Sequence, residues 1–223
     1  MRKKLFYYSL SLLTMAVVVS SCTSEKSKLT YSPEESTMIL VSDSSFQEDS
    51  EMIALISPYK AKMDSIMSEV IGYSNETMDS KLPDSALPQF VIEIMRSQAE
   101  KATGEKVDAA LVNLGGLRSP LYKGDVTIGS IFSIFPFENA LTLITVKGKD
   151  LKELYKVVNE RKRLAATVIP NLVDDKEYRL ATIDYLVDGN DNASALKSAT
   201  NRTDTNILLR DLIIDYYRSN NKK

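Results

Sequence analysis

The stretch of this 223-residue chain best suited to holding a ligand is Asn113-Leu114-Gly115-Gly116-Leu117-Arg118. Gly115 and Gly116 let the backbone turn sharply and approach a ligand closely. Asn113 offers both a donor and an acceptor. Arg118 supplies a planar fork suited to a hydroxyl pair, a carboxylate or a phosphate. Further on, Phe137 follows Pro136 and presents a flat face on which a base can stack. Asn139 stands two residues later. Together these groups have the makings of an aromatic and polar cradle for a nucleoside. Taken singly each has a plainer reading: a turn, a core aromatic, a solvated cation.

Composition removes many other chemistries. The chain has no histidine and one cysteine, and its formal net charge is −2. Without imidazole there is no Ser-His-Asp triad, no Cys-His pair and no His-built zinc site. One cysteine excludes an internal disulfide and thiolate clusters. An acidic chain has no electrostatic footprint for nucleic acid. Asp188-Gly189-Asn190-Asp191-Asn192 is acidic and turn-like, but it does not follow the spacing of a calcium loop.

The elements that must position these residues are mixed α and β. Met52, Leu55, Ile56, Tyr59, Met63 and Ile66 share one face of a helix over 51–70, which Pro58 is expected to kink or split. A strand opens at 71–73. A second helix carries Leu87, Phe90, Val91, Ile94 and Met95, with its cap near Asp84 or Ser85. Strands are expected at 37–42, 109–112, 140–146 and 178–183. A third helix starts after Gly148, and a last one is expected to be capped by Thr203. The fold class is α+β, a mixed layered domain, with one compact domain over residues 37–223.

The N-terminus reads as an export signal. Arg2, Lys3 and Lys4 precede an apolar run from Leu5 to Val19, shorter than the ~20 residues that span a bilayer. The run ends in Val19-Ser20-Ser21-Cys22, which resembles a bacterial lipobox. On that reading residues 1–21 are a lipoprotein signal peptide, Cys22 is acylated and 22–36 form a tether. The protein then faces the periplasm or the cell surface on a lipid anchor. The alternative is an ordinary signal with an incidental cysteine.

The order of motifs from Val112 to Leu154 resembles the C-terminal, substrate-binding domain of the 5'-nucleotidase family. The Asn113-to-Arg118 motif is followed by Gly124-Asp125-Val126-Thr127, Pro136-Phe137-Glu138-Asn139, an apolar strand, and Lys147-Gly148-Lys149-Asp150-Leu151. The resemblance extends over about Lys60 to Tyr217. It implies that Asn113 and Arg118 hydrogen-bond the substrate, that Gly115 and Gly116 form the turn, and that Phe137 is one of two rings sandwiching the base. Asn139 and Asp191 fall at matching positions. Departures are visible. Lys81 replaces an arginine, Pro88-Gln89 replaces Gly-Asn, and Ala193 stands where the second aromatic is expected.

In that family a separate metallophosphatase domain holds two divalent metals. The resemblance therefore implies a non-catalytic, nucleoside- or nucleotide-binding half of a split phosphoester hydrolase acting in nucleotide catabolism outside the cytoplasm. No cofactor is expected in this chain, no catalytic residue, and little activity alone. Divalent metals are expected in an exported metallophosphatase partner. The alternative is a vestigial or structural lipoprotein that tethers such a partner without binding nucleotide.

Overall fold

The computed structural model describes residues 49–220. The signal segment, Cys22 and the strand expected at 37–42 lie outside them. The described residues open with helix α1 (Ser50–Met67), capped by the Asp49 carboxylate, which accepts from the amides of Glu51 and Met52. Strand β1 (Val70–Ser74) pairs antiparallel with β3 (Gly124–Thr127) in a small two-stranded sheet. Helix α2 (Ala86–Thr103) lies between them in sequence and ends on Gly104 in the left-handed region, as a helix C-terminus favours.

The main sheet has five strands in the order β5-β2-β6-β4-β7. These are β2 (Ala109–Asn113), β4 (Ala140–Lys147), β5 (Leu164–Ala166), β6 (Glu177–Ile183) and β7 (Thr200–Leu208). β2 and β6 run parallel, and the other neighbours are antiparallel. Every residue of β2 is buried, as are Leu141 to Val146 of β4. Such unbroken buried runs, largely apolar, mark strands covered on both faces. Helix α2 packs against β2, β5 and β6, and α4 (Gly148–Arg161) packs against β4 and β5. The apolar face of α2, with Leu87, Val91, Ile94 and Met95 each at most 2% exposed, closes this core.

Three short elements complete the frame. Helix α3 (Ile128–Ile134) starts with a reciprocal cap: the Ser130 amide donates to the Thr127 hydroxyl, and the Thr127 amide donates to that of Ser130. Helix α5 (Asp184–Val187) follows β6 directly. Helix α6 (Leu209–Asn220) ends the described chain and packs on α2, α3 and β1.

Two sequence expectations are corrected. Thr203 does not cap the last helix. It lies inside β7 opposite Leu143, and α6 begins at Leu209. A Thr-Asp run before an apolar stretch looks like a cap, but here the open edge of β4 takes up those backbone groups. The apolar face of α1 is not buried either. No residue of that helix is, and Pro58 is accommodated within one continuous element.

Candidate nucleoside-binding cleft

The C-terminal end of β2 delivers Asn113 into a cleft of about 230 Å³ lined by Asn113, Gly115, Phe137, Asn139, Tyr185 and Asp191. Four separate segments meet there. Asn113 and Gly115 come from the β2 end and the single turn of 3-10 helix that follows it (Leu114–Gly116). Phe137 and Asn139 come from the loop before β4. Tyr185 comes from α5, and Asp191 from the loop beyond it.

Asn113 is 5% exposed. Its Nδ2 donates to Asp191 Oδ2 at 2.7 Å. Its Oδ1 is buried and has no partner among the described residues. A buried amide oxygen without a donor is costly, and this one faces Gly116. The glycine pair serves proximity here. Neither Gly115 nor Gly116 is in the left-handed region. A Cβ on Gly116 would come within 2.8 Å of Asn113 Oδ1, whereas one on Gly115 would meet nothing closer than 3.8 Å. Gly116 therefore makes room for the asparagine, and Gly115 keeps the cleft wall low.

The aromatic walls are open. Phe137 is 48% exposed and Tyr185 is 39% exposed, and both line the cleft. Asp184 fixes the Tyr185 position. Its Oδ1 accepts from the Tyr185 amide at 2.8 Å and from the Ala140 amide at 3.2 Å, tying α5 to the start of β4. Asn190 Nδ2 donates to the Tyr185 carbonyl at 2.8 Å. Asn139 is anchored through its backbone, whose carbonyl accepts from the Leu209 amide at 2.9 Å. Asp191 and Asn192 both have positive φ, 50° and 64°. Asn and Asp tolerate that region better than other side-chain-bearing residues. The double left-handed step brings the Asp191 carboxylate back over Asn113.

Six of the seven ligand-contact candidates read from the sequence thus gather at or beside one cleft: Asn113, Gly115, Phe137, Asn139 and Asp191 line it, and Gly116 supports Asn113. Arg118 is not among the lining residues. It is exposed, and its amide donates to the Ile134 carbonyl at 2.9 Å. Lys81 is exposed and also outside the cleft. Ala193, expected to mark a missing second ring, is fully buried and does not line it. Tyr185 is the second aromatic residue that lines the cleft. Its signal is present in the sequence: an aromatic just after a strand and six residues before Asp191. Among the described residues, no group of three His, Cys, Asp or Glu gathers to hold a metal. The described residues therefore offer no set of ligands for divalent metals, and no chemical step is assigned to one here.

The fold is thus an α+β domain with a mixed five-stranded sheet and a cleft at its strand ends. Residues 67–170 match the family model of the 5'-nucleotidase C-terminal domain, and over that stretch the chain is similar to that family. Over 120 residues it is 34% identical to the endonuclease YhcR of Bacillus subtilis, covering 52% of this chain and 9% of that protein. Over 119 residues it is 29% identical to a probable 5'-nucleotidase of Treponema pallidum, covering 48% of this chain and 20% of that one. The 5'-nucleotidase precursor of Thermus thermophilus has the same fold, with a TM-score of 0.64 at 20% identity over 79% of this chain and 41% of that structure. The chain thus spans less than half the length of each of these relatives.

Proposed function

We propose that this domain recognises the nucleoside part of a nucleotide and presents its phosphate to a metal-dependent phosphoesterase. The observation that carries this is that two open aromatic rings, Phe137 and Tyr185, line one cleft together with Asn113 and Asp191, which are hydrogen-bonded to each other. A base stacks on aromatic faces. A ribose offers hydroxyls, which can donate to the Asp191 carboxylate at the cleft. Arg118, exposed beyond the glycine turn, is placed to meet charge outside the cleft rather than the base within it.

The hydrolytic centre belongs to a separate exported metallophosphatase in this reading. No histidine occurs in the 223 residues, so imidazole-held metals would have to sit outside them. The Arg2–Cys22 segment supports export and acylation of Cys22, which would hold the recognition domain at a membrane facing the periplasm or cell surface.

Calorimetric titration with adenosine and with AMP, wild type beside Phe137→Ala, tests the proposal. Binding of both ligands that weakens in the variant supports it. A folded protein giving no heat with either ligand, alone or with a companion phosphatase, would leave a membrane tether as the better reading.

A further inference from the structure

Helix α1 stands apart from the domain that follows it. It has eighteen residues and buries none of them. It meets the domain against α3, where at its C-terminal end the Met67 carbonyl lies 2.9 Å from where a Cβ would sit on Gly129. Yet its large side chains are apolar and exposed, Tyr59 by 74% and Leu55 by 63%. A lone helix of this length is marginal in water, and Pro58 deprives it of one backbone bond. Contiguous exposed apolar surface of this kind marks an interface.

The spacing says what kind. Met52, Ile56, Tyr59, Met63 and Ile66 succeed one another at intervals of four, three, four and three. That is the alternation of a coiled-coil seam, narrower than the stripe of a helix lying on its own core. Pro58 falls off the seam, so its missing donor is on the outer side. The residues beside the seam are Ile53 and Leu55 in the first half, and Lys60 and Lys62 in the second.

We infer that α1 pairs antiparallel with α1 of a second copy of this chain. In that register Met52 lies opposite Met63 of the other copy, and Ile56 opposite Tyr59. The flanks complement each other too. Ile53 and Leu55 face the other copy's Lys60 and Lys62, whose methylene stems cover apolar surface while the ammonium groups reach water. No like charges meet along these flanks. The arrangement is two-fold and self-complementary, so it closes at a dimer. It also places the two sheet domains at opposite ends of the helix pair, whereas a parallel pair would crowd them at one end, since β1 starts at Val70, three residues past the helix.

Sedimentation equilibrium of the full chain in a Cys22→Ser background tests this. The wild-type seam is expected to give a dimer, and Met63→Asp to weaken it at least tenfold. Ala61→Asp, on the opposite face, should leave it unchanged. Circular dichroism of the sheet domain checks that each variant is folded. In the same background, a mixture of Ile56→Cys and Tyr59→Cys chains should form the mixed disulfide in preference to either like pair. A monomer at all concentrations, association indifferent to Met63→Asp, or like-with-like disulfides would overturn the inference. So would a monomer that binds anionic lipid vesicles through the same seam.

Discussion

The stacking proposed for this cleft draws on two rings of different origin. Phe137 sits on a proline-stiffened loop, and Tyr185 on the first turn of a short helix held by Asp184. Removing the Tyr185 ring is expected to cost about 1–3 kcal/mol of nucleoside binding, the usual worth of one base–aromatic stack. Tyr185→Phe keeps the face and should bind adenosine within about twofold of wild type, a comparison calorimetry resolves. Asp191→Ala should lower stability by about 1–3 kcal/mol, because the buried Asn113 Nδ2 then loses its acceptor. Denaturant unfolding measures that directly. Gly116→Ala should destabilise by about 1–3 kcal/mol through its close approach to Asn113 Oδ1, while Gly115→Ala should be near neutral.

At the scale of elements, the polar edge strand β7 carries the clearest pH dependence. Burial pushes the Asp204 carboxyl up, but hydrogen bonds from the Thr142 hydroxyl and Arg202 outweigh this and hold it below the ordinary carboxylate range. A carboxyl with a lowered folded pKa adds stability that is present above its unfolded pKa of about 3.9. That contribution disappears as pH falls through the lower folded value. Wild type should therefore exceed Asp204→Asn in stability at neutral pH, and the difference should close in acid, as thermal melts across pH would record. Gly148, at the start of α4, is a second sensitive point. Any Cβ there would collide with the Val173 carbonyl oxygen, so Gly148→Ala should unfold at distinctly lower denaturant.

The elements differ in how far they can be read ahead of the structure. Ala140 to Val146 announces a central strand through its Leu, Ile, Thr and Val content, and α2 announces itself through period and cap. β7 does not. Thr-Asn-Arg-Thr-Asp-Thr-Asn has no apolar face, because it is an edge strand whose side chains meet water, and only its ladder with β4 makes it a strand. Most of the cleft is legible because Asn113, Gly115, Phe137, Asn139 and Asp191 sit in recognisable short motifs. Tyr185 is harder to read, because the motif points to a second ring after Asp191 rather than before it. Neither Arg118 nor Lys81 can be placed from motif spacing, since loop direction decides where a long side chain ends.

Among the described residues, the five-stranded sheet domain carries an exposed helix at its N-terminal end. The five-stranded sheet, with β2, β4 and β6 at its buried centre, fixes the ends from which Asn113, Asn139 and Tyr185 project. Preformed sites bind without the cost of ordering loops, which is consistent with a cleft framed by strand ends and a short helix. Amide exchange should accordingly be slowest in β2, β4 and β6, approaching the global unfolding limit there. The central claim is that a base lies between Phe137 and Tyr185. Nuclear Overhauser contacts between those two rings and the purine protons of added adenosine test it most directly. Contacts from both rings, lost from the substituted position in Phe137→Ala or Tyr185→Ala, are the predicted result. Adenosine that binds without contact to either ring, or that does not bind the folded domain at all, would contradict it.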